Sequence, residues 1–265
     1  EADLQRALVA REVVVFYQPI VDLCSGAIVG CEALARWRHP TRGLLNPASF
    51  IPFAEESDLI NRIDSLVLSS ACTQTRAWQS AHPEASSLAI SVNVSSRRLI
   101  ESSLAHDVAR ALEDAGLDPS SLILEITESA MMRDTEIAAR NIGEVRDLGV
   151  RIALDDFGTG YSSLSYLERF PIDIIKIDQT FVETVRPGGT PGALAPAIVQ
   201  LARTLGHATI AEGIEHADQA VALRAMGCEL GQGFFLAVPQ EADDIEEMLR
   251  SERPVPVPGP AVAVS

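Results

Sequence analysis

Basic charge is scarce in this chain: 21 Lys and Arg stand against 37 Asp and Glu, a formal net charge of −16 at pH 7. That balance argues against duplex nucleic acid as a partner, because affinity there comes from Lys and Arg displacing condensed counterions. Cysteine is also thin, and Cys24, Cys31, Cys72 and Cys228 have spacings that make neither a zinc site nor a disulfide framework. Free, mostly buried thiols in a reducing compartment are expected. No apolar run approaches a membrane span and no secretory leader opens the sequence. The expectation is therefore a cytoplasmic segment without membrane contact, alone or as the cytoplasmic part of a larger, membrane-anchored protein. A glycine-rich dinucleotide fingerprint after an early strand is missing too. None of these absences excludes an anionic small substrate, provided metal ions stand between it and the carboxylates.

What is present is a core: 47% of the 265 residues are hydrophobic, at a length usual for a single α/β barrel. After a short helix in Glu1–Arg11, strands are expected at Val13–Ile20 and Ala27–Ala35. The gap between them is far shorter than a parallel crossover needs, so they should form an antiparallel hairpin. A polar loop, Arg36–Asn46, leads through Pro47–Glu56 into a long helix at Leu59–Gln79, and the whole Arg36–Ala81 excursion carries no strand signal. Strands then recur at Leu88–Val94, Leu122–Ile126, Arg151–Leu154, Ile172–Ile177, His207–Ala211 and Cys228–Leu236. Helices at Leu104–Ala115, Asp134–Leu148, Ala193–Leu205 and His216–Met226 alternate with them, and a Pro/Gly-rich loop lies at Arg186–Gly192. The expected fold is α/β, a (β/α)8 TIM-like barrel whose first strand runs antiparallel, rather than a doubly wound sheet. It divides into the barrel at 1–240, a C-terminal helix at 241–252 and a Pro-rich tail at 253–265, expected to pack nothing.

In such a barrel the C-terminal strand ends form one mouth, where chemistry is placed. Glu32, Asn93, Glu125, Asp155, Asp156, Lys176 and Glu212 stand there. Adjacent strand residues point to opposite faces, so Asp155 and Asp156 share a site only if the strand ends between them. The glycines of Phe157–Tyr161 supply a turn for that, with Ser162 and Ser163 as helix caps. Each residue alone has a bland reading as a cap, a solvated charge or a salt-bridge partner; their recurrence at successive strand ends points to a site. Five carboxylates and an amide in one mouth would repel without cations, and hard oxygen donors suit Mg²⁺ or Mn²⁺. Their number suits two ions, about 3.5–4 Å apart in such sites, with Asp155 as the natural bridge. Zinc is disfavoured, because no His or Cys occupies these strand ends. Lys176 amid carboxylates should stay protonated, which suits stabilising phosphoryl charge and not forming a Schiff base.

With these residues in place, the sequence strongly resembles the EAL domain, the bacterial cyclic-di-GMP phosphodiesterase module. The naming motif is Glu32-Ala33-Leu34, followed by Ala35-Arg36-Trp37. FYQPIVDL (Phe16–Leu23), FIPFAE (Phe50–Glu55), SVNVS, LEITES, LDDFGTGYSSL, IDIIKID, AEGIE and GQG (Gly231–Gly233) follow in the family's order, and FFLAVP is a looser match. The resemblance covers roughly Leu4 to Pro239. It implies Glu32, Asn93, Glu125 and Asp155 as ligands of a first metal, and Asp155 and Asp156 as holders of a second. Glu212 is implied as a further ligand, paired with Lys176 to position or deprotonate the attacking water. Gln18, Leu34, Arg36, Asp178 and Gln232 resemble substrate contacts, with Phe235 or its neighbour Phe234 stacking a guanine. Glu128 resembles the anchor of the DDFGTGYSS loop, and Glu215 an outer support. The implied reaction is hydrolysis of cyclic di-GMP to linear pGpG with two Mg²⁺ or Mn²⁺ ions, Ca²⁺ being inhibitory. A homodimer and an upstream sensory or cyclase domain are also implied. The rival readings are a catalytically silent cyclic-di-GMP receptor and, by fold analogy alone, a Mg²⁺-dependent lyase barrel.

Overall fold

The computed structural model describes residues 2–158, 170–185, 194–251 and 253–257. Its first long-range pairing is the expected hairpin. Strand β1 (Val13–Asp22) runs antiparallel to β2 (Ile28–His39), from Val13↔Trp37 to Val21↔Ile28. The turn is coded by Asp22, whose Oδ1 accepts hydrogen bonds from the Cys24 and Ser25 amides and the Ser25 hydroxyl. Gly26 completes it at φ 75°, where a Cβ would meet the Val255 carbonyl oxygen at 2.5 Å. Val255 is buried beneath this turn and its amide donates to the Gly26 carbonyl at 2.8 Å. The expectation that the Pro-rich tail packs nothing fails at this residue: an apolar side chain between prolines fills a groove that the hairpin leaves open. Residues 258–265 lie outside the described residues.

A second correction concerns the stretch after Ala35. Strand β2 continues to His39, and β3 (Gly43–Leu45) pairs back on it through Trp37↔Leu45 and His39↔Gly43. The polar residues hid this hairpin: Trp37 and His39 are buried around exposed Arg38, but β3 is only three residues long and mostly exposed. Its turn is held by His39 Nδ1, which accepts from the Thr41 and Arg42 amides.

The remaining strands are β4 (Ala89–Asn93), β5 (Leu122–Thr127), β6 (Arg151–Phe157), β7 (Ile174–Ile177), β8 (Ala208–Ala211) and β9 (Leu230–Gly231). They pair in the order β1-β9-β8-β7-β6-β5-β4-β2, and β1–β2 closes the barrel. Strand β1 is antiparallel to both its neighbours and all other barrel pairs are parallel, as expected of the fold. Strand β9 is far shorter than the apolar run Cys228–Leu236 suggested. At Gly233 the backbone presses on Ile214, where a Cβ would come within 2.2 Å of the Ile214 amide nitrogen, and the chain turns away.

The described helices are α1 (Ala2–Val9), α2 (Ile51–Glu55), α3 (Leu59–Ala81), α4 (Ser96–Leu99), α5 (Leu104–Ala115), α6 (Glu128–Arg133), α7 (Thr135–Asp147), α8 (Gln179–Val182), α9 (Leu194–Leu205), α10 (Ala217–Met226) and α11 (Ala242–Ser251). Among the described residues no helix is long and apolar enough to cross a membrane. The four cysteines are free, Cys24 exposed and the other three buried.

The barrel interior is layered, and the layers place the site. Ile20, Ala89, Ile123, Ala153, Ile174 and Ile210, one from each of six strands, form a closed apolar layer, with Leu230 packed against it. Side chains two residues apart on a strand share a face. One step toward the C-terminal ends therefore brings Ser91, Glu125, Asp155, Lys176, Glu212 and Gln232 above that layer. Antiparallel β1 contributes Gln18, two residues before Ile20, and Gln18 pairs with Glu32 across the hairpin. The apolar layer is the floor of a polar ring.

Candidate active site

Lys176, the single lysine of the chain, stands at the centre of that ring and is 1% exposed. Its Nζ lies 2.6 Å from Glu125 Oε2, 2.6 Å from Glu212 Oε1, 3.4 Å from Asp155 Oδ1 and 3.8 Å from Glu32 Oε2. Glu32 is gripped from two sides, by Asn93 Nδ2 donating to Oε1 at 2.8 Å and Gln232 Nε2 donating to Oε2 at 2.5 Å. Strand ends from all round the barrel, β1 excepted, thus meet in one hydrogen-bonded cluster.

Four carboxylates around one ammonium leave a negative excess, and the proton affinities reflect it. Burial and the neighbouring Glu32 push the Glu125 carboxyl well above its usual range. Burial, opposed in part by Lys176, raises Glu212 to about 8. Burial also opposes ionisation of Glu32, yet Lys176 and the amide donors outweigh it and hold that carboxyl low. For Lys176 burial disfavours charge, but the surrounding carboxylates overcome it and raise its pKa well above 10.5. The ammonium stays protonated.

Asp155 and Asp156 are brought together differently from the expectation. Strand β6 does not end between them; it runs to Phe157 with a register irregularity after Leu154. Asp156 itself takes the left-handed conformation, φ 56°, and its amide donates to Asp155 Oδ1 at 3.0 Å. An aspartate tolerates that conformation better than most residues, so a bulge, and not the glycines, re-aims the second carboxylate. Burial and the adjacent Asp155 raise its pKa.

The outer residues divide. Glu32, Leu34 and Arg36 share one face of β2; Arg36 is buried, its guanidinium 5.8 Å from the Phe16 ring centroid and its Nη1 donating to the Ala35 carbonyl. Gln18 donates from Nε2 to the Ala237 carbonyl at 3.0 Å. Together with Glu212, Glu215, Gln232 and Phe234 it lines a cleft of about 170 Å³. Phe235, the expected stacking residue, instead packs against the main apolar core, while Phe234 is 65% exposed on the cleft. Asp178 caps α8, accepting from the Thr180 amide at 2.9 Å. Glu128 opens α6 behind its cap, Thr127; the loop it was expected to anchor lies, from residue 159 to 169, outside the described residues.

Asp64 was missed. It shares with Leu34 and Asn93 a second pocket of about 320 Å³. Burial raises its carboxyl to about 6, and it accepts from the Ser95 hydroxyl at 2.6 Å. The legible signal was an acid on the helix stripe that buries Ile60, Ile63 and Val67. The grip of Gln232 on Glu32 depends on the Gly233 contact just described. Gly233→Ala is expected to cost on the order of 3 kcal/mol or more, because a backbone neighbour cannot yield. Thermal unfolding should show it as a large fall in Tm, and an unchanged Tm would refute the close approach.

Among the described residues no three His, Cys, Asp or Glu side chains already converge in a ready cation-binding geometry. The donor set nevertheless fits hard divalent cations. It is all oxygen, its charge exceeds what one ammonium balances, and Glu125 Oε1 is buried without a hydrogen-bond partner.

Comparison with known proteins adds the following. The family profile described as the EAL domain matches residues 1–239. A bifunctional diguanylate cyclase/cyclic di-GMP phosphodiesterase, MucR of Pseudomonas aeruginosa, is 41% identical over 92% of this chain and 35% of its own length. A cyclic di-GMP phosphodiesterase of the same organism, NbdA, is 40% identical over 96% of this chain and 32% of its own. The chain spans about a third of the length of such curated relatives. The solved structure of the MucR phosphodiesterase in complex with c-di-GMP superposes with a TM-score of 0.87 at 41% identity, covering 92% of this chain and 98% of that one.

Proposed function

The chain belongs to the EAL domain family, and from that premise we propose that it is a metal-dependent phosphodiesterase that opens cyclic di-GMP to linear pGpG. The observation that carries the reading is the cluster around Lys176: four carboxylates held within 4 Å of one protonated amine at the mouth of a barrel. The similarity of MucR and NbdA, named for this activity, supports it.

Glu32, Asn93, Glu125, Asp155, Asp156 and Glu212 would hold Mg²⁺ or Mn²⁺. When bound, such ions supply charge neutralisation at the phosphate and acidify water. The chain's own residues do the rest. Gln232 and Asn93 fix the Glu32 carboxylate, so its direction does not drift when charge enters the mouth. Water adds at phosphorus, the bond from phosphorus to the ribose 3′ oxygen breaks, and that oxygen takes a proton from solvent, so the product carries a 5′ phosphate and a 3′ hydroxyl. Glu212 receives the proton that water gives up, at Oε1, and Lys176 Nζ donates toward charge developing on the phosphoryl oxygens. Arg36 keeps donors beyond its bond to Ala35 and offers local attraction to an anionic substrate despite the net charge of −16. Phe234 supplies an exposed ring at the cleft for a base.

The test is incubation with cyclic di-GMP and each ion separately, pGpG being followed by chromatography. Turnover is expected with Mg²⁺ and Mn²⁺. Little is expected with Ca²⁺, which prefers longer and more numerous oxygen contacts. Binding without any pGpG between pH 7 and 9.5 would replace the enzyme with a receptor.

A further inference from the structure

The disposition of Lys176 has a consequence for the order of events at the site. An ammonium has three N–H donors. Nζ donates to Glu125 Oε2 at 2.6 Å, and Glu212 Oε1 at 2.6 Å, Asp155 Oδ1 at 3.4 Å and Glu32 Oε2 at 3.8 Å complete its surroundings. Four carboxylates of the cluster therefore lie within 4 Å of the amine. The surrounding carboxylate side chains are themselves 16% exposed or less, so water does not take over the screening. Among the described residues no second Lys, Arg or His forms an ion pair with any of these four carboxylates. Arg36 lies on the same face of β2 but has its Nη1 committed to Ala35.

We infer that Lys176 is a metal-gated lysine: before loading it is the internal counter-cation that keeps the carboxylates assembled, and only cation binding releases one of its donors toward substrate. The physical ground is competition for the same oxygens. A divalent ion placed among these carboxylates takes over the charge that Lys176 balances, and the contacts at 2.6 Å lengthen or break. The amine, its stem fixed in β7 between Ile175 and Ile177, both buried, then turns its freed N–H into the mouth. Substrate entering before the ions would meet a lysine held among the carboxylates of the cluster. Loading with ions before substrate is the order this competition favours. The inference rests on the proposed cation site, but its first half, the holding role, concerns the metal-free chain.

Because Lys176 is the only lysine, ¹⁵N-lysine labelling gives one side-chain ammonium signal in the intact protein. In EDTA that signal is expected to be sharp and protected from exchange with water. Titration with Mg²⁺, its binding followed independently by calorimetry, should shift it and raise its exchange rate at least several-fold. A signal unmoved at Mg²⁺ saturation overturns the gating. The holding role is read from thermal unfolding. Lys176→Met should lower Tm in EDTA by roughly 5–10 °C, as removal of one partner from a buried ion cluster does. Saturating Mg²⁺ should close at least half of that gap, and Glu125→Gln in the Lys176→Met background should recover part of it without metal. A gap equal with and without Mg²⁺, or a double variant no better than the single, assigns Lys176 a packing role and overturns the inference. Should Lys176→Met fail to fold in EDTA, the double variant must fold where the single does not. Calorimetry that detects no cation binding would refute the proposed metal site instead, while the EDTA comparison would still decide the holding role.

Discussion

Lys176→Met is expected to reduce hydrolysis of cyclic di-GMP by about 10³-fold while calorimetry still detects cation binding. The size follows from removing a preorganised donor aimed at charge that develops in a dry site, worth about 10²–10³ in rate where it has been isolated. Lys176 belongs at the top of that range because it is 1% exposed and no other lysine exists to replace it. The effect should fall on kcat and not on KM, since the donor is realised in the transition state and not in ground-state binding. Glu212→Gln should cost a comparable factor, because it removes the group that receives the water's proton, and Glu212 Oε1 lies 2.6 Å from Lys176 Nζ, so the two act at one place. Residues acting as a unit are not additive, so the double variant should be little worse than either single one. A Lys176→Met protein with near-normal kcat would remove the lysine from the chemistry. Two large effects that multiplied in the double variant would show instead that the residues act independently.

The mouth of this barrel could be read in the sequence because its residues sit at fixed steps. An apolar residue facing the lumen is followed two positions later by a polar one, as in Ile123–Glu125, Ala153–Asp155, Ile174–Lys176 and Ile210–Glu212. Period two on short strands is the plainest signal a chain offers, and the antiparallel hairpin followed from a connection too short for anything else. Three features escaped because they carry no period. In the β2–β3 extension Trp37 and His39 are buried on either side of exposed Arg38, but one of the two is polar and β3 has only three residues, so no apolar period shows. Val255 is a single apolar residue whose burial depends on a groove made by the hairpin turn more than 200 positions earlier. Asp156 was expected to reach the site through a turn after Asp155, whereas the strand continues and one left-handed residue re-aims it. The aromatic at the cleft illustrates the same limit. Phe234 and Phe235 are neighbours of one residue type, and only the turn that Gly233 makes against Ile214 decides which of them faces outward.

Cation affinity should climb steeply with pH between pH 6 and 8, by up to about tenfold per unit for each proton released. The sign follows from which state holds the proton. In the metal-free protein Glu212 is raised to about 8, by burial first and by its acidic neighbours after that, and Glu125 is raised well above its usual range by burial and by Glu32. A cation that uses these oxygens must displace their protons, so below pH 8 each unit of acidity costs up to one factor of ten per proton released. The same groups act on stability. An unfolded glutamate ionises in the ordinary carboxylate range, so between that range and about 8 the folded metal-free chain holds more protons than the unfolded one. Stability contributed by these groups therefore falls as pH rises through that window. Asp64, raised to about 6 by burial, works in the same direction over a lower range. Glu32, held low, gives the opposite dependence in more acidic solution. Tm measured in EDTA should accordingly decline from pH 5 to 8.5, and the decline should be shallower with saturating Mg²⁺, which replaces the protons with a charge that does not titrate. Calorimetry in two buffers of different ionisation enthalpy counts the protons released on binding. At pH 7 that count should be close to one or higher. A count of zero, with an affinity flat from pH 6 to 8, would mean that the cations bind without Glu125 and Glu212, and it would move the metal site away from the lysine.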